Sequence, residues 1–266
     1  MRYRNVVLGW AAAIALSLLL ARVHPFGDAG LYAQSAMPRT SIMERSSVPP
    51  AVREMLIAKC ADCHSMQTRA PLYGRFAPVS WLMERDIVEG RDEMNLSQWD
   101  AYSPEQQQTL VAKIVQQARS HSMPLPQYRI IHRNASLTDA EIQRLIAWSR
   151  ETPLSVTGDS AQPLTPGDAV HGKLVFQKRC TGCHAVGPGH EGPALQNVYG
   201  RRSGSLKGFN YSDALKNAGI VWNEASLDQW LTDPDAFIPG NNMEFHVVKP
   251  QERRDVIAFL KSGEMK

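Results

Sequence analysis

Apolar residues recur with the period of an α-helix in both halves of the chain. Ser103 and Gln106 form a capping box ahead of one such stretch, with Pro104 at the first helical position. The apolar stripe of this predicted helix consists of Leu110, Val111, Ile114, Val115 and Ala118. Thr138 and Glu141 form a second capping box, and its stripe consists of Ile142, Leu145 and Ile146. Neither half shows a run of alternating strands, so the pattern predicts an all-α fold.

Three further helical patterns surround two short cysteine-containing stretches. The patterns over 52–59 and 168–179 each run directly into a pair of cysteines, and Pro250 lies near the start of a last helix. A shift of 120 residues (180 − 60) superimposes one cysteine stretch and its preceding helix on the other. The chain is therefore expected to use one helical architecture twice.

An uncharged, mostly apolar run extends from Asn5 to Ala21, after Arg2 and Arg4 and before Arg22. Such a run is typical of a signal peptide or a short membrane anchor. The small-residue stretch YAQSA, which suits cleavage best, lies well downstream, and this favours an uncleaved anchor. Both interpretations export the rest of the chain and leave the positive N-terminus in the cytoplasm.

A stretch rich in Pro, Ser, Thr and Gly, Glu151 to Gly167, has no helical period and is predicted to be a linker. The expected organisation is an N-terminal anchor or signal segment at 1–37, a helical domain at 38–152, a linker at 153–163 and a second helical domain at 164–266.

Bulk composition excludes some classes of function but does not indicate one. The 266 residues are 43% hydrophobic, and 29 Lys and Arg against 26 Asp and Glu leave a net charge of +3. No basic run indicates nucleic-acid binding, and no acidic tail indicates disorder. The function has to be inferred from sites.

The four cysteines form two C-x-x-C-H pentads. One comprises Cys60, Cys63 and His64, and the other comprises Cys180, Cys183 and His184. This pattern is the attachment signature of c-type haem, in which both thiols become thioethers and the histidine binds the iron. The sequence therefore predicts two covalently attached haem c groups, with His64 and His184 as proximal ligands.

Three other uses of these cysteines explain less. Structural disulfides leave both histidines unexplained, and a bridge across two residues closes a loop too small to stabilise much. A thioredoxin-like redox pair needs a βαβ setting that neither pentad has. A zinc site of two C-x-x-C knuckles leaves the histidines unused and needs distant domains to share one metal.

The second domain resembles the class I, mitochondrial-type cytochromes c. The matching stretches run from 167 to 262 in family order, among them GKLVFQKRCTGCHAVGPGHEGPAL, GFNYSDALKNAGIVW and LDQWLTDPDAFIPGNNMEF. The resemblance implies that Met243 is the distal ligand opposite His184, and that the carbonyl of Pro193 accepts from His184 Nδ1–H. It also implies that three side chains contact the haem propionates: Arg201, Tyr211 and Trp222. In that family a ring of lysines around the exposed haem edge docks redox partners. The corresponding positive charge is low in this domain, so the family's usual partners are not implied.

The first domain resembles a family of small bacterial haem-binding domains over most of 48–150. The matching stretches begin CADCHSMQTRAPLYGRFAPVSWL and MPLPQYRIIHRNASLTDAEIQRL. The resemblance implies haem and export, and little about partners.

The sixth ligand of the first haem is predicted to be Met123. It follows a long helix, opens the proline-containing stretch MPLPQY, and lies 59 residues after His64, as Met243 does after His184. The nearest alternative is His132, and Met94 and His121 also stay open. Met66 is too close to His64 to cross the haem plane, and Met83 is predicted to be core.

These observations predict a di-haem c-type cytochrome on the periplasmic side of the bacterial inner membrane. It is expected to carry single electrons between redox protein partners, with no nucleic acid and no small-molecule substrate required. The alternatives are a di-haem peroxidase, which needs an open distal site, and a haem subunit of a larger respiratory or dehydrogenase complex.

Overall fold

A computed structural model describes residues 2–31, 38–151, 163–184 and 191–265. The described residues are mostly helical and contain a single isolated antiparallel bridge, between Arg202 and Val221. The predicted all-α class is thus confirmed. Internal contacts divide the chain into two compact units, 1–101 and 102–266.

The first unit contains an N-terminal helix and the helices that surround the first pentad. Their bounds are α1 (Arg2–Leu20), α2 (Pro50–Lys59), α3 (Ala61–His64) and α4 (Val79–Glu93), with 3-10 turns at Ile42–Glu44, Leu72–Arg75 and Leu96–Ala101. The core of the unit includes Ile42, Leu56, Ile87 and Leu96, each no more than 2% exposed.

The second unit contains the remaining helices. Their bounds are α5 (Pro104–Arg119), α6 (Pro126–Ile131), α7 (Asp139–Glu151), α8 (Ala169–Arg179), α9 (Thr181–His184), α10 (Asp213–Asn217), α11 (Glu224–Thr232), α12 (Pro234–Phe237) and α13 (Pro250–Ser262), with a 3-10 turn at Arg133–Ala135. Helix α8 lies so close to α13 that a Cβ on Gly172 would fall 1.9 Å from the carbonyl oxygen of Asp255. Glycine is thus required where these two backbones cross.

Both predicted capping boxes are confirmed. Gln106 N donates to Ser103 Oγ and Ser103 N donates to Gln106 Oε1, at 3.3 and 2.8 Å. Thr138 N donates to Glu141 Oε2 at 2.8 Å, and Glu141 N donates to Thr138 Oγ1 at 3.3 Å. All eight predicted stripe residues of α5 and α7 are buried.

The predicted apolar segment forms α1. Tyr3–Leu20 is long enough to cross a membrane, with a mean hydropathy of 1.5 and none of the window buried. The end of α1 contacts the start of α4: Ser17 Oγ donates to the carbonyl of Ala77 at 2.8 Å, and Trp81 Nε1 donates to that of Leu20 at 3.1 Å.

The predicted domain boundaries stay a prediction. Most of the expected linker and the stretch YAQSA lie outside the described residues. The division between the compact units falls at 101 and 102, ahead of α5.

Candidate haem-binding sites

The two pentads adopt the same backbone turn. At the first, α2 ends at Lys59, Cys60 has φ −122° and ψ −36°, and α3 follows. The amide of His64 donates to the carbonyl of Cys60 at 3.0 Å, and that of Cys63 donates to it at 3.3 Å. The turn places Cys63 and His64 at the end of α3 and Cys60 at its N-cap.

The second pentad repeats this turn between α8 and α9. Cys180 has φ −105° and ψ −36°. Its carbonyl accepts from the amides of His184 and Cys183, at 2.8 and 3.1 Å. A ten- or eleven-residue helix followed by a break at the first cysteine therefore characterises both sites.

The His64 ring is oriented by the C-terminal end of α4. Its Nδ1 lies 2.7 Å from the carbonyl oxygen of Gly90 and 3.1 Å from that of Met94. The carbonyl of Gly90 also accepts from the amide of Met94, the C-cap residue of α4, at 3.0 Å. Because Nδ1 is occupied by these acceptors, Nε2 is the nitrogen with a lone pair for iron.

The His184 ring is oriented by a non-helical segment instead. Its Nδ1 lies 2.8 Å from the carbonyl oxygen of Pro193, so the hydrogen bond that the sequence predicted is present. Gly192 lies against the ring, and a Cβ there would fall 2.4 Å from Cε1 of His184. Burial lowers the pKa of His184, which favours the neutral imidazole that can bind a metal.

None of the four cysteines is joined to another in a disulfide. Burial raises the pKa of Cys60 and Cys180 to about 12 each, and that of Cys63 to about 11.

A cavity of about 770 Å³ lies within the second unit. That volume is within the usual range of sites that bind a cofactor-sized molecule. The eight residues that the sequence predicted for the second haem all line it: Cys180, Cys183, His184, Pro193, Arg201, Tyr211, Trp222 and Met243. The structure thus brings together thiols, imidazole and thioether that are up to 63 residues apart (243 − 180).

A tight turn presents Met243. Gly240 has φ +83°, a conformation that glycine adopts without strain. Asn241, 2% exposed, donates from its side-chain nitrogen to the carbonyl of Ile238 at 2.9 Å, and its Oδ1 accepts from Met243 N at 2.6 Å. The backbone at the thioether is therefore fixed by a buried amide side chain.

The remaining predicted contacts have partners of their own. The Arg201 guanidinium donates to the carbonyls of Gln196 and Ala194, at 3.0 and 3.2 Å. The Tyr211 ring centroid lies 4.8 Å from that of Phe209, and Trp222 lies 5.4 Å from Trp230. These side chains build the wall of the cavity whether or not they also contact a propionate.

The residues of the second site fit a covalently attached haem. The cavity, the oriented imidazole and the thioether that lines the same cavity are the parts that such a group requires. The first pentad has the same turn and an oriented imidazole, which fit the same attachment.

Met123 lies in the second unit and His64 in the first, so ligation by Met123 stays a prediction. Met123 is 36% exposed and lies between α5 and α6. Pro126 opens α6, so the second half of MPLPQY is helical. His132, the alternative, stacks on Tyr128 with ring centroids 4.1 Å apart.

Sequence reasoning missed one wall of the cavity. Helix α5 contributes Ala112, Gln116 and Gln117 to its lining. It also missed that Gly90 and Met94 orient His64. No local sequence pattern indicates that role, because these residues lie 26 and 30 positions after His64.

Comparison with known proteins identifies both parts of the chain. Residues 23–151 match a family described as a haem-binding domain, and residues 169–264 match cytochrome c. Cytochrome c2 of Rhodomicrobium vannielii is 51% identical over 105 residues, covering 38% of this chain and 83% of that protein. Cytochrome c2 of Blastochloris viridis is 44% identical over 112 residues, covering 41% and 87%.

A solved structure, that of cytochrome cH from Methylobacterium extorquens, is 40% identical and covers 36% of this chain and 99% of that one, with a TM-score of 0.34. Two haem-binding domains lie in tandem, with covalently bound haem c as the cofactor. The chain belongs to the cytochrome c family, and this membership points to electron transfer between redox proteins.

Proposed function

We propose that this protein is a membrane-attached di-haem cytochrome that carries electrons one at a time on the periplasmic side of the bacterial inner membrane. The observation that carries the proposal is the repeated attachment turn. Each pentad presents two thiols and an imidazole whose Nδ1 is held by a backbone carbonyl, at 2.7 Å for His64 and 2.8 Å for His184.

Each attached haem supplies an iron that takes up and releases one electron. The chain's own residues fix the surroundings of that iron. His64 and His184 are proposed as proximal ligands, Met243 as the sixth ligand of the second haem and Met123 as that of the first. A carbonyl on Nδ1 raises the basicity of the ligating Nε2 and prevents rotation of the ring.

The thioether loop argues for transfer rather than peroxide chemistry at the second haem. A peroxidase needs a distal position that a substrate can enter, whereas Asn241 holds the backbone of Met243 from a buried position. The proposed partners are redox proteins that donate and accept electrons.

Membrane attachment is proposed through α1. No residue of the apolar window Tyr3–Leu20 is buried, and Arg2 and Arg4 lie in the first turn of its helix. Burial of such a face in lipid would remove it from water. N-terminal sequencing of the membrane fraction tests this, because a mature chain that starts between Ala29 and Arg39 would identify a cleaved signal peptide.

A redox titration followed by optical spectra, with intact mass on the same sample, tests the proposed function. Two haem increments in mass and two one-electron transitions are expected after expression with the c-type maturation machinery. A single increment would contradict the di-haem proposal. Rapid stoichiometric carbon monoxide binding at one reduced haem would instead favour the peroxidase.

A further inference from the structure

Helix α5 approaches the Met243 loop with a mostly buried arginine, Arg119. The Arg119 guanidinium donates to the carbonyl of Asn241 at 2.8 Å. It also lies 3.0 Å from Glu244 Oε2 and 3.2 Å from Asp235 Oδ2. One side chain therefore contacts the residues on both sides of Met243 and the short helix α12 that precedes the loop.

Helix α7 contributes a second arginine to the same two carboxylates. Arg150 Nε lies 3.2 Å from Glu244 Oε1, and its terminal nitrogen lies 2.9 Å from Asp235 Oδ2. The side chain of Glu244 is 0% exposed. A buried carboxylate is strongly unfavourable unless its charge is compensated, so the position of Glu244 depends on Arg119 and Arg150.

Helix α5 also contacts the segment on the other side of the cavity. Gln116 Nε2 donates to the carbonyl of Glu191 at 2.7 Å, and Gln117 Nε2 lies 3.2 Å from Glu191 Oε1. Glu191 precedes Gly192 and Pro193, which orient the His184 ring. A single helix is therefore attached to the segment behind the imidazole and to the loop that carries the thioether.

We propose that Arg119 and Arg150 are positioning residues that hold the Met243 loop closed through Glu244 and the backbone of Asn241. The inference rests on the proposed ligation by Met243. Neither arginine is required to touch the haem. Their role is to set the fraction of molecules in which the thioether sulfur is bound.

The physical basis is an equilibrium between a closed loop, with sulfur on the iron, and an open loop. Only the closed loop keeps Glu244 beside both guanidinium groups, so each arginine biases the equilibrium toward closure. An external ligand that occupies the vacated position gains apparent affinity in proportion to the open fraction. Imidazole is a suitable probe because it competes directly with the thioether.

The first test compares Arg119→Gln with wild type in the full-length haem-loaded protein. Imidazole binding at the oxidised haem is followed by loss of the sulfur-to-iron charge-transfer band. The intensity that Met243→Ala removes from this band is the contribution of the Met243 sulfur, and imidazole binding is read from that part. We expect Arg119→Gln to bind imidazole about tenfold more tightly or more, since it removes the hydrogen bond to the Asn241 carbonyl and the positive charge beside Glu244.

Arg253→Gln is the matched control. Arg253 is as buried as Arg119, at 12% against 13%, and it pairs with Asp228 in the same unit. Its loss should lower stability while leaving imidazole affinity within about twofold of wild type. Equal tightening in Arg119→Gln and Arg253→Gln would show a general loosening of the fold and would overturn the proposal.

Variants at Glu244 test whether the arginines act through this carboxylate, and Glu244→Gln alone should tighten imidazole binding even if Arg119→Gln fails to fold. Glu244→Gln removes the buried charge that the arginines compensate, so Arg119→Gln should change imidazole affinity less in that background than alone. Full additivity would contradict action through Glu244. If Met243→Ala leaves the charge-transfer band intact, Met243 is not the ligand. If Met243→Ala removes its part of the band but the arginine variants leave imidazole affinity unchanged, Met243 stands as the ligand and the positioning role is wrong.

Discussion

The two pentads of this chain have the same attachment turn but different support behind the histidine. His64 is held by the end of α4, through carbonyls 26 and 30 residues further along the chain. His184 is held by a non-helical segment only nine residues away. The turn is thus fixed by a short local sequence, whereas the orientation of the ligand depends on whatever element each unit places behind it.

The helices that precede the two pentads also pack differently. Helices α2 and α8 carry the two pentads, and the 120-residue shift aligns Val52 with Gly172. Val52 buries a side chain in the first unit, at 2% exposure. Gly172 instead allows two backbones into contact in the second. The same attachment chemistry is therefore compatible with side-chain packing and with close helix crossing.

The largest expected effect is the loss of one thioether ligand. Met123→Ala should abolish the sulfur-to-iron charge-transfer band of one oxidised haem, and Met243→Ala that of the other, because alanine offers no ligand atom. Optical spectra at long wavelength measure both. A wild-type spectrum with only one haem's band, or full intensity in Met123→Ala, would remove Met123 as a ligand and favour a histidine such as His132.

Adding a methyl group to α8 should have the next largest effect. Gly172→Ala places a Cβ 1.9 Å from the carbonyl oxygen of Asp255, which no rotamer change can relieve. We expect it to destabilise the second unit by about 3 kcal/mol or more. Val52→Ala, its counterpart, should cost about 1.5 kcal/mol through lost burial. Hydrogen exchange of α8 and α2 in the full-length protein measures each cost, and similar costs would contradict the contrast.

Much of this architecture follows from local sequence, and the rest does not. The capping boxes at Ser103 and Thr138 and the buried stripes after them were predictable, because caps and helical period involve residues three or four apart. The pairing of Arg119 with Glu244 was not, since 125 residues separate them (244 − 119) and neither carries a local signal. The role of Gly90 was missed for the same reason.

The two histidine supports should tolerate an added methyl group differently. A Cβ on Gly192 would lie 2.4 Å from the His184 ring, whereas one on Gly90 would lie 3.2 Å from the carbonyl of Cys63. Gly192→Ala should cost about 1–3 kcal/mol and disturb the ligand field of the second haem. Gly90→Ala gains helix propensity and should stay within about 1 kcal/mol of wild type. Unfolding in guanidinium, followed by the absorption of both haems, measures the free energy of unfolding of each variant. A larger loss in Gly90→Ala than in Gly192→Ala would contradict the comparison.

The smallest expected effect is an acid dependence of the α8–α13 contact. Burial alone would raise the pKa of Asp255, but hydrogen bonds from Asp168 N, His171 and Gln251 lower it. Its contribution to stability is therefore present above the unfolded pKa and is lost as the pH falls through the lower folded value. The loss is expected below about pH 4.

Asp255→Asn tests this dependence. It should cost about 1–2 kcal/mol at pH 7, because the carboxylate accepts charge-assisted hydrogen bonds. The difference from wild type should shrink as the pH falls toward 3, as shown by hydrogen exchange of α13. A constant difference across that range would show that the charge of Asp255 does not matter.

The contacts of α5 bear on where the chain could be divided between its two family matches. By family, α5 and α7 belong with the haem-binding domain that ends at residue 151. By contact, they belong with residues 102–266. A gene split or recombined in the stretch between the two families would separate Glu244 from both arginines that neutralise it. The unit that contacts define for the cytochrome part, 102–266, is thus larger than its family match, 169–264.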